Sequence, residues 1–171
     1  MDPAALTLAA LVAAITALVV RRHRWLTRVR SWSMYPTLQP GDLYLTRAIA
    51  RPDHIRRGDL VVIQSAELGR AVIKRVIGLP GEAVQITPDR VIIDGIGLPE
   101  PYPTIDGGTT GTFHVPTGAY LVLGDNRPRS SDSRTWTQPY VPAAAIHGRL
   151  TSQQLLPSRR STRQRPATMG V

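Results

Sequence analysis

Three clusters hold the side chains of this sequence that could break a covalent bond. The first is Ser31 and Ser33 in "RSWSMYPTLQPGD", residues 30–42. Side chains alternate along an extended segment, so the two hydroxyls point to one face while Trp32 and Met34 point to the other. Pro36 biases Tyr35 away from helix, which favours that extended or turn conformation. Two serines so placed also occur in ordinary loops, and the pair gains meaning only beside a base. Lys74 is the candidate base, because 20 of the 21 basic residues are arginine and it is the single lysine. Arginine keeps its proton to above pH ~12 and cannot act as a base, whereas a desolvated lysine can. If "AVIKRVIG" is a strand, Lys74 shares a face with Val72 and Val76, and Ile73, Arg75 and Ile77 occupy the other. Apolar neighbours disfavour the ammonium, and bringing its pKa from about 10.4 to near neutrality takes roughly 4 kcal/mol. A neutral amine there takes the proton of a serine hydroxyl; the competing reading is a protective charge on an edge strand. The third cluster is "GDNRPRSSDSR", residues 124–134. Here Asp132 and Arg134 are close enough to pair, and the hydroxyls of Ser130, Ser131 and Ser133 are candidates to orient the amine.

Other chemistries find little footing. There are no cysteines, so disulfides, thiolate nucleophiles and cysteine zinc sites are excluded together. The four histidines, His23, His54, His114 and His147, are scattered without a triad-like aspartate nearby, and no HExxH pattern marks a metal. No glycine-rich phosphate loop is present. Neither a metal nor a cofactor is expected. The formal charge of +9 and pI near 11.1 raise the question of nucleic acid or anionic lipid. Five of the arginines lie in "RRHRWLTRVR" and four in the tail "SRRSTRQRPATMGV", flanking a body much closer to neutral. A nucleic-acid surface would instead interleave arginine with aromatics through the body, so no nucleic-acid partner is expected.

The elements that must position these clusters are short. From Asp42 onward, β-branched runs alternate with turn signals: "LYLT", "RRGD", "LVVIQ", "AVIKRVIG", "LPGE", "AVQIT", "VIIDG" and "GTFHVPTGAYLVLGD". This reads as a mainly β, antiparallel domain over residues 29–157. The segment "VPAAAIHGRL" has room for a short helical turn, and "PEPYPTIDGGTTG" reads as a surface loop. Ahead of the domain, residues 3–20 form a run whose polar side chains are Thr7 and Thr16 alone. At ~1.5 Å per residue it is just long enough to cross a bilayer core as one transmembrane helix. It has no basic residues before it and no small-residue cleavage site after it, which favours an uncleaved anchor over a signal peptide. Residues 21–28 read as a basic juxtamembrane segment, and residues 158–171 as a basic disordered tail. The arginines after the anchor would by the positive-inside rule hold the domain in the cytoplasm, unless they lie on anionic headgroups of the outer surface.

The blocks "SMYPTLQPGD", "RRGDLVVIQ", "IKRVIGLPGE", "DRVIIDG" and "VPTGAYLVLGDNRPRSSDSR", in this order, resemble the type I signal peptidases. These are membrane-anchored serine/lysine endopeptidases that remove signal peptides from exported proteins. The resemblance covers residues 29–148. It implies Ser33 as the nucleophile, Lys74 as its general base, and Ser31 as the hydroxyl that completes an oxyanion hole with the Ser33 N–H. It further implies that Ser130 holds the lysine and that Asp132 and Arg134 form a structural ion pair. Val29, Met34, Leu38, Val72 and Ile73 would shape pockets for small side chains one and three residues before the cut. The implied setting is the plasma membrane with the catalytic domain on the extracytoplasmic side; the implied partners are secretory preproteins, membrane lipid and the secretion translocase. Dedicated maturation of one substrate, such as a pilin or conjugation protein, is the alternative within the family. A membrane-tethered basic binding protein is the alternative outside it. Arg30 and Trp32 depart from the family pattern, which tends to a proline before the first serine and a small or polar residue between the two. Pro128 and Arg129 depart from it in the loop before Ser130.

Overall fold

The computed structural model describes residues 2–49, 51, 54–102 and 104–156. The tail read as disordered lies outside them. The chain opens with helix α1 (Pro3–His23), and wherever its side chains are described they are exposed. Among the described residues no helix is long and apolar enough to cross a membrane. The structure thus gives the segment its helical form, and its membrane role is taken up below.

Strand β1 (Arg24–Arg28) follows the helix directly. The sheet therefore begins inside the segment read as juxtamembrane, with Trp25 opposite Thr46 and Leu26 opposite Leu45 of β2 (Leu43–Ala48). Then come β3 (Leu60–Ser65), β4 (Arg70–Gly78), β5 (Ala83–Ile86), β6 (Val91–Ile93), β7 (Ile96–Gly97), β8 (Gly111–His114), β9 (Ala119–Leu123), β10 (Tyr140–Pro142) and β11 (Ile146–Leu156). A seven-stranded sheet has the order β1-β2-β11-β3-β4-β9-β10, and a four-stranded sheet the order β7-β6-β5-β8. Among the described residues every pairing between these strands is antiparallel, and the isolated bridge Ile105–Asn126 is parallel. The domain is mainly β, as the alternating runs predict. The "VPAAAIHGRL" segment supplies a single 3-10 turn, Ala143–Ala145, between β10 and β11.

Period-two alternation distributes the apolar side chains among three cores. In β3, Val61 and Ile63 join Val76, Tyr120 and Val122 in one core, while Val62 on the other face joins Val29, Met34 and Leu38. In β9, Tyr120 and Val122 face the first core, and Leu121 and Leu123 face another beneath the small sheet, with Ile77, Val84 and Val91. The strand reading of "AVIKRVIG" carries through: Val72 and Val76 pack in the first core, Ile73 against the third and Ile77 in the second. β3 and β9, covered on both faces, are near-continuous apolar runs, whereas β4 between them carries Lys74 and Arg75. Arg57 ties the "RRGD" turn to the "LPGE" turn through Glu82, at 2.5 and 2.9 Å.

Candidate active site

A cleft of about 640 Å³ lies between β1 with its continuation to Met34 on one wall and the first half of β4 on the other. Ser31, Ser33 and Lys74 all line it. The segment from Val29 to Leu38 reaches this position because Val29, Met34 and Leu38 are buried in the core against Val62. Residues 31–38 run as bends and turns rather than as an extended strand, with Met34 buried at the cleft wall, and the Ser31 and Ser33 hydroxyl oxygens lie 3.2 Å apart. Trp32 is 54% exposed and meets Tyr35 edge to face with ring centroids 5.4 Å apart.

Lys74 is only 2% exposed. Its ammonium donates to Ser130 Oγ at 2.8 Å. Of the three candidate hydroxyls, Ser130 alone meets the lysine. Ser131 Oγ accepts from Trp136 Nε1 at 3.0 Å, and Ser133 Oγ accepts the Val122 N–H at 2.9 Å. Burial lowers the Lys74 pKa from 10.5 to about 8; the carboxylate of Asp132 opposes that fall, and the guanidinium groups of Arg134 and Arg70 add to it. A lysine that retains an appreciable neutral fraction near neutrality has the acidity a general base needs.

Asp132 is fully buried and takes a two-pronged ion pair from Arg134, at 2.8 and 2.9 Å, together with the Gly124 N–H at 2.9 Å. Burial works against its charge, but the hydrogen bonds and charge of Arg134, with those from Gly124 and the Ser130 hydroxyl, outweigh it and hold the carboxyl below its usual range. Ser130 Oγ thus accepts from Lys74 beside the Asp132 carboxylate that it helps to hold ionised. That bond positions the amine of a lysine that lines the cleft. Arg134 is itself held by the carbonyls of Arg127 at 2.7 Å and Gly107 at 3.3 Å.

The stretch from Gly124 to Asn126 joins the lysine side of the site to the serine side, a role that sequence reasoning did not assign. The Asn126 N–H donates to the Ser33 carbonyl, and Asn126 Nδ2 to the Trp32 carbonyl, each at 3.1 Å. Both bonds pin the backbone on either side of the hydroxyl pair. A methyl group at Gly124 would overlap the Ser33 carbonyl oxygen and Ser130 Oγ, so only glycine allows the two chains to come this close. Next to it, Asp125 receives Arg75 at 2.8 and 2.6 Å and also the Thr37 hydroxyl. Arg75 lies 3.6 Å under the ring of Tyr102. The signal available for this pair was a buried-strand arginine beside the lone lysine, but a partner 50 residues away has no local mark.

Val29, Met34, Val72 and Ile73 line the cleft, as expected of pocket-forming residues. Leu38 does not: it is 1% exposed and packs behind Met34, where its N–H donates to the Met34 carbonyl at 2.9 Å. No histidine is among the lining residues.

The family model described as "Signal peptidase, peptidase S26" matches residues 4–153. The chain belongs to the signal peptidase family. This is a family of serine endopeptidases. A signal peptidase I of Leptolyngbya laminosa is 43% identical over 131 residues, 71% of this chain and 64% of that one. A signal peptidase I of Bacillus licheniformis is 36% identical over 139 residues, 74% of this chain and 75% of its own length. The crystal structure of a signal peptidase I from Enterococcus faecalis V583 superposes with a TM-score of 0.50 at 36% identity, over 57% of this chain and 97% of that one. The antiparallel β architecture thus recurs in a solved signal peptidase.

Proposed function

We propose that this signal peptidase removes N-terminal signal peptides from exported preproteins, cutting after a small residue by serine/lysine acyl transfer. One observation carries the reading. A buried lysine with a pKa lowered to about 8, held by Ser130, lines the same cleft as a serine pair pinned by Asn126.

Neutral Lys74 takes the proton of Ser33 Oγ as that oxygen attacks the carbonyl carbon at the scissile bond. The Ser31 hydroxyl and the Ser33 N–H receive the oxyanion, whose stabilisation is the largest single contribution in such reactions. The Lys74 ammonium then protonates the departing amine, which leaves as the new N-terminus and leaves an ester on Ser33. Lys74, neutral again, takes a proton from water; the hydroxide attacks the ester, and the ammonium returns its proton to Ser33 Oγ. No cofactor enters the cycle. β4 pairs with β3 along Arg70–Arg75 but with β9 only from Arg75 onward. Its other edge from Arg70 to Lys74 is thus open to an extended substrate, whose small side chains would fit against Val29, Met34, Val72 and Ile73.

Residues 3–20 serve as the membrane anchor, which accounts for a helix that exposes Leu6, Leu8, Leu11 and Val12. Arg24 and Arg28 lie in β1, and Arg28 and Arg30 line the cleft. These arginines belong to the folded domain, so their number does not fix the topology, and we place the catalytic domain on the extracytoplasmic side, as the resemblance implies. The partners are then preproteins emerging from the translocase at a lipid surface. The full-length protein in lipid vesicles, given a secretory preprotein, should release one product cut after an Ala-X-Ala type site, as mapped by mass spectrometry. Ser33→Ala should release none; cleavage by that variant would refute the proposal.

A further inference from the structure

Acyl transfer makes no use of the charges around the cleft. Arg28, Arg30, Arg70 and Arg129 line it, with no aspartate or glutamate among the lining residues. All four are exposed, and among the described residues none has a side-chain hydrogen bond or ion pair. The buried and half-buried arginines of the domain are paired, Arg75 with Asp125, Arg127 with Glu100, Arg134 with Asp132 and Arg149 with Asp59. Arg24, Arg47 and Arg56, exposed outside the cleft, have no side-chain bond among the described residues either, so what sets the four apart is that they share one trough. A trough with charge of one sign along its walls concentrates field and draws in the opposite charge.

The positions are as telling as the sign. Arg70 precedes Lys74 by four residues on β4, about 13 Å along a strand at ~3.3 Å per residue. Arg28 ends β1 on the facing wall, just before Val29. A peptide whose residues before the cut lie against Val29, Val72 and Ile73 runs on toward this arginine pair. It passes between them about four to six residues upstream of the scissile bond. We propose that Arg28 and Arg70 recognise an acidic side chain, aspartate or glutamate, at that place in the substrate. This rests on the proposed direction of the peptide through the same site. Anionic lipid headgroups are the competing source of negative charge, but arginines on opposite walls bracket a chain inside the trough, whereas a headgroup layer meets one face.

The test uses full-length protein in zwitterionic vesicles and three peptides spanning an Ala-X-Ala site, identical except for Glu, Gln or Lys at the fifth residue before the cut. The Glu peptide should exceed the Gln peptide in kcat/KM by roughly two- to tenfold, as two exposed ion pairs allow. The Lys peptide should fall below both, and the spread should shrink at high salt. Arg70→Glu, which leaves Arg28 facing a carboxylate, should bring the ratio between the Glu and Lys peptides to near one. Because this change also alters the field at Lys74, only the ratio between peptides is read. Equal kcat/KM for Glu and Gln overturns the proposal, as does a Glu preference that survives the Arg28→Gln, Arg70→Gln double variant. If those substitutions weaken binding to anionic vesicles while the peptide ratio stays at one, the arginines are lipid contacts and the proposal is wrong. The Gln peptide is also the control for the underlying reading. Cleavage by wild type but not Ser33→Ala keeps that reading whatever the acid preference proves to be; no cleavage of any peptide ends both.

Discussion

The lysine is the most exposed point of the mechanism, and its titration can be followed in two independent ways. With a pKa of about 8, the neutral fraction of Lys74 is about a tenth at pH 7 and about a hundredth at pH 6. If the neutral amine is the base, kcat/KM should climb about tenfold per pH unit below 8 and level off above it. The same shift has a sign in folding. The folded pKa lies below the unfolded value of 10.5, so between the two the unfolded chain binds the extra proton, and stability rises with pH across that window. Below pH 8 the buried ammonium imposes its full cost of about 3 kcal/mol; toward pH 10.5 that cost is relieved. Lys74→Met removes the titrating group at similar volume. The difference in unfolding free energy between wild type and Lys74→Met should therefore move in favour of wild type by about 1.4 kcal/mol per pH unit from 8 upward, and stay flat from 6 to 7.5. Taking the difference cancels the tyrosines and arginines that both proteins share. The assays are peptide cleavage from pH 5.5 to 10 and urea unfolding of both proteins at matched pH. An activity limb centred near 10, or a flat stability difference, would refute the claim that burial tunes this lysine. So would an active Lys74→Arg enzyme, because a guanidinium does not release its proton.

The supporting residues give sharper local tests. Ser31→Ala should lose roughly 10²- to 10³-fold in kcat if its hydroxyl holds the oxyanion; a rate near that of wild type removes it from that role. Gly124→Ala should destabilise the domain by about 1–3 kcal/mol in urea unfolding, from overpacking. It should also cost roughly 100-fold in activity, since the added methyl must push Ser33 from Ser130. Asp132→Asn removes a charge that holds the Lys74 pKa up, so the rising limb of the rate profile should move to lower pH even as the domain loses stability; a shift to higher pH would contradict the assigned electrostatics.

Local rules made much of this molecule legible, and the failures mark where local rules end. The two-residue spacing brings the Ser31 and Ser33 hydroxyls together, but through bends and turns in which Met34 is buried and Trp32 exposed rather than through strand alternation, and β-branched runs between glycine turns gave most of the strands. Composition singled out Lys74, since a chain that uses arginine everywhere else has reason to keep one lysine. Local spacing did not separate Ser130 from Ser131 and Ser133, because three hydroxyls in one loop differ only in the direction that the backbone trace gives them; the family resemblance alone singled out Ser130. "RWLTR" showed no apolar period and read as a basic linker, yet Trp25 and Leu26 pair into the sheet as β1. Leu38 looked like a pocket residue and is core, since the turn after Met34 folds it inward. The Arg75–Asp125 pair and the bonds from Asn126 to the serine segment join residues far apart in sequence. Such contacts carry no local signature.

The central claim is that Ser33 becomes covalently acylated by the signal peptide with Lys74 as base. It is tested most directly by quenching the reaction of the full-length protein and a preprotein in acid, digesting it, and locating the ester by mass spectrometry. The account predicts one adduct, the C-terminal fragment of the signal peptide esterified to the peptide containing Ser33, absent from Ser33→Ala and Lys74→Met. An adduct on Ser31, or cleavage that persists in Ser33→Ala without any ester, would contradict it.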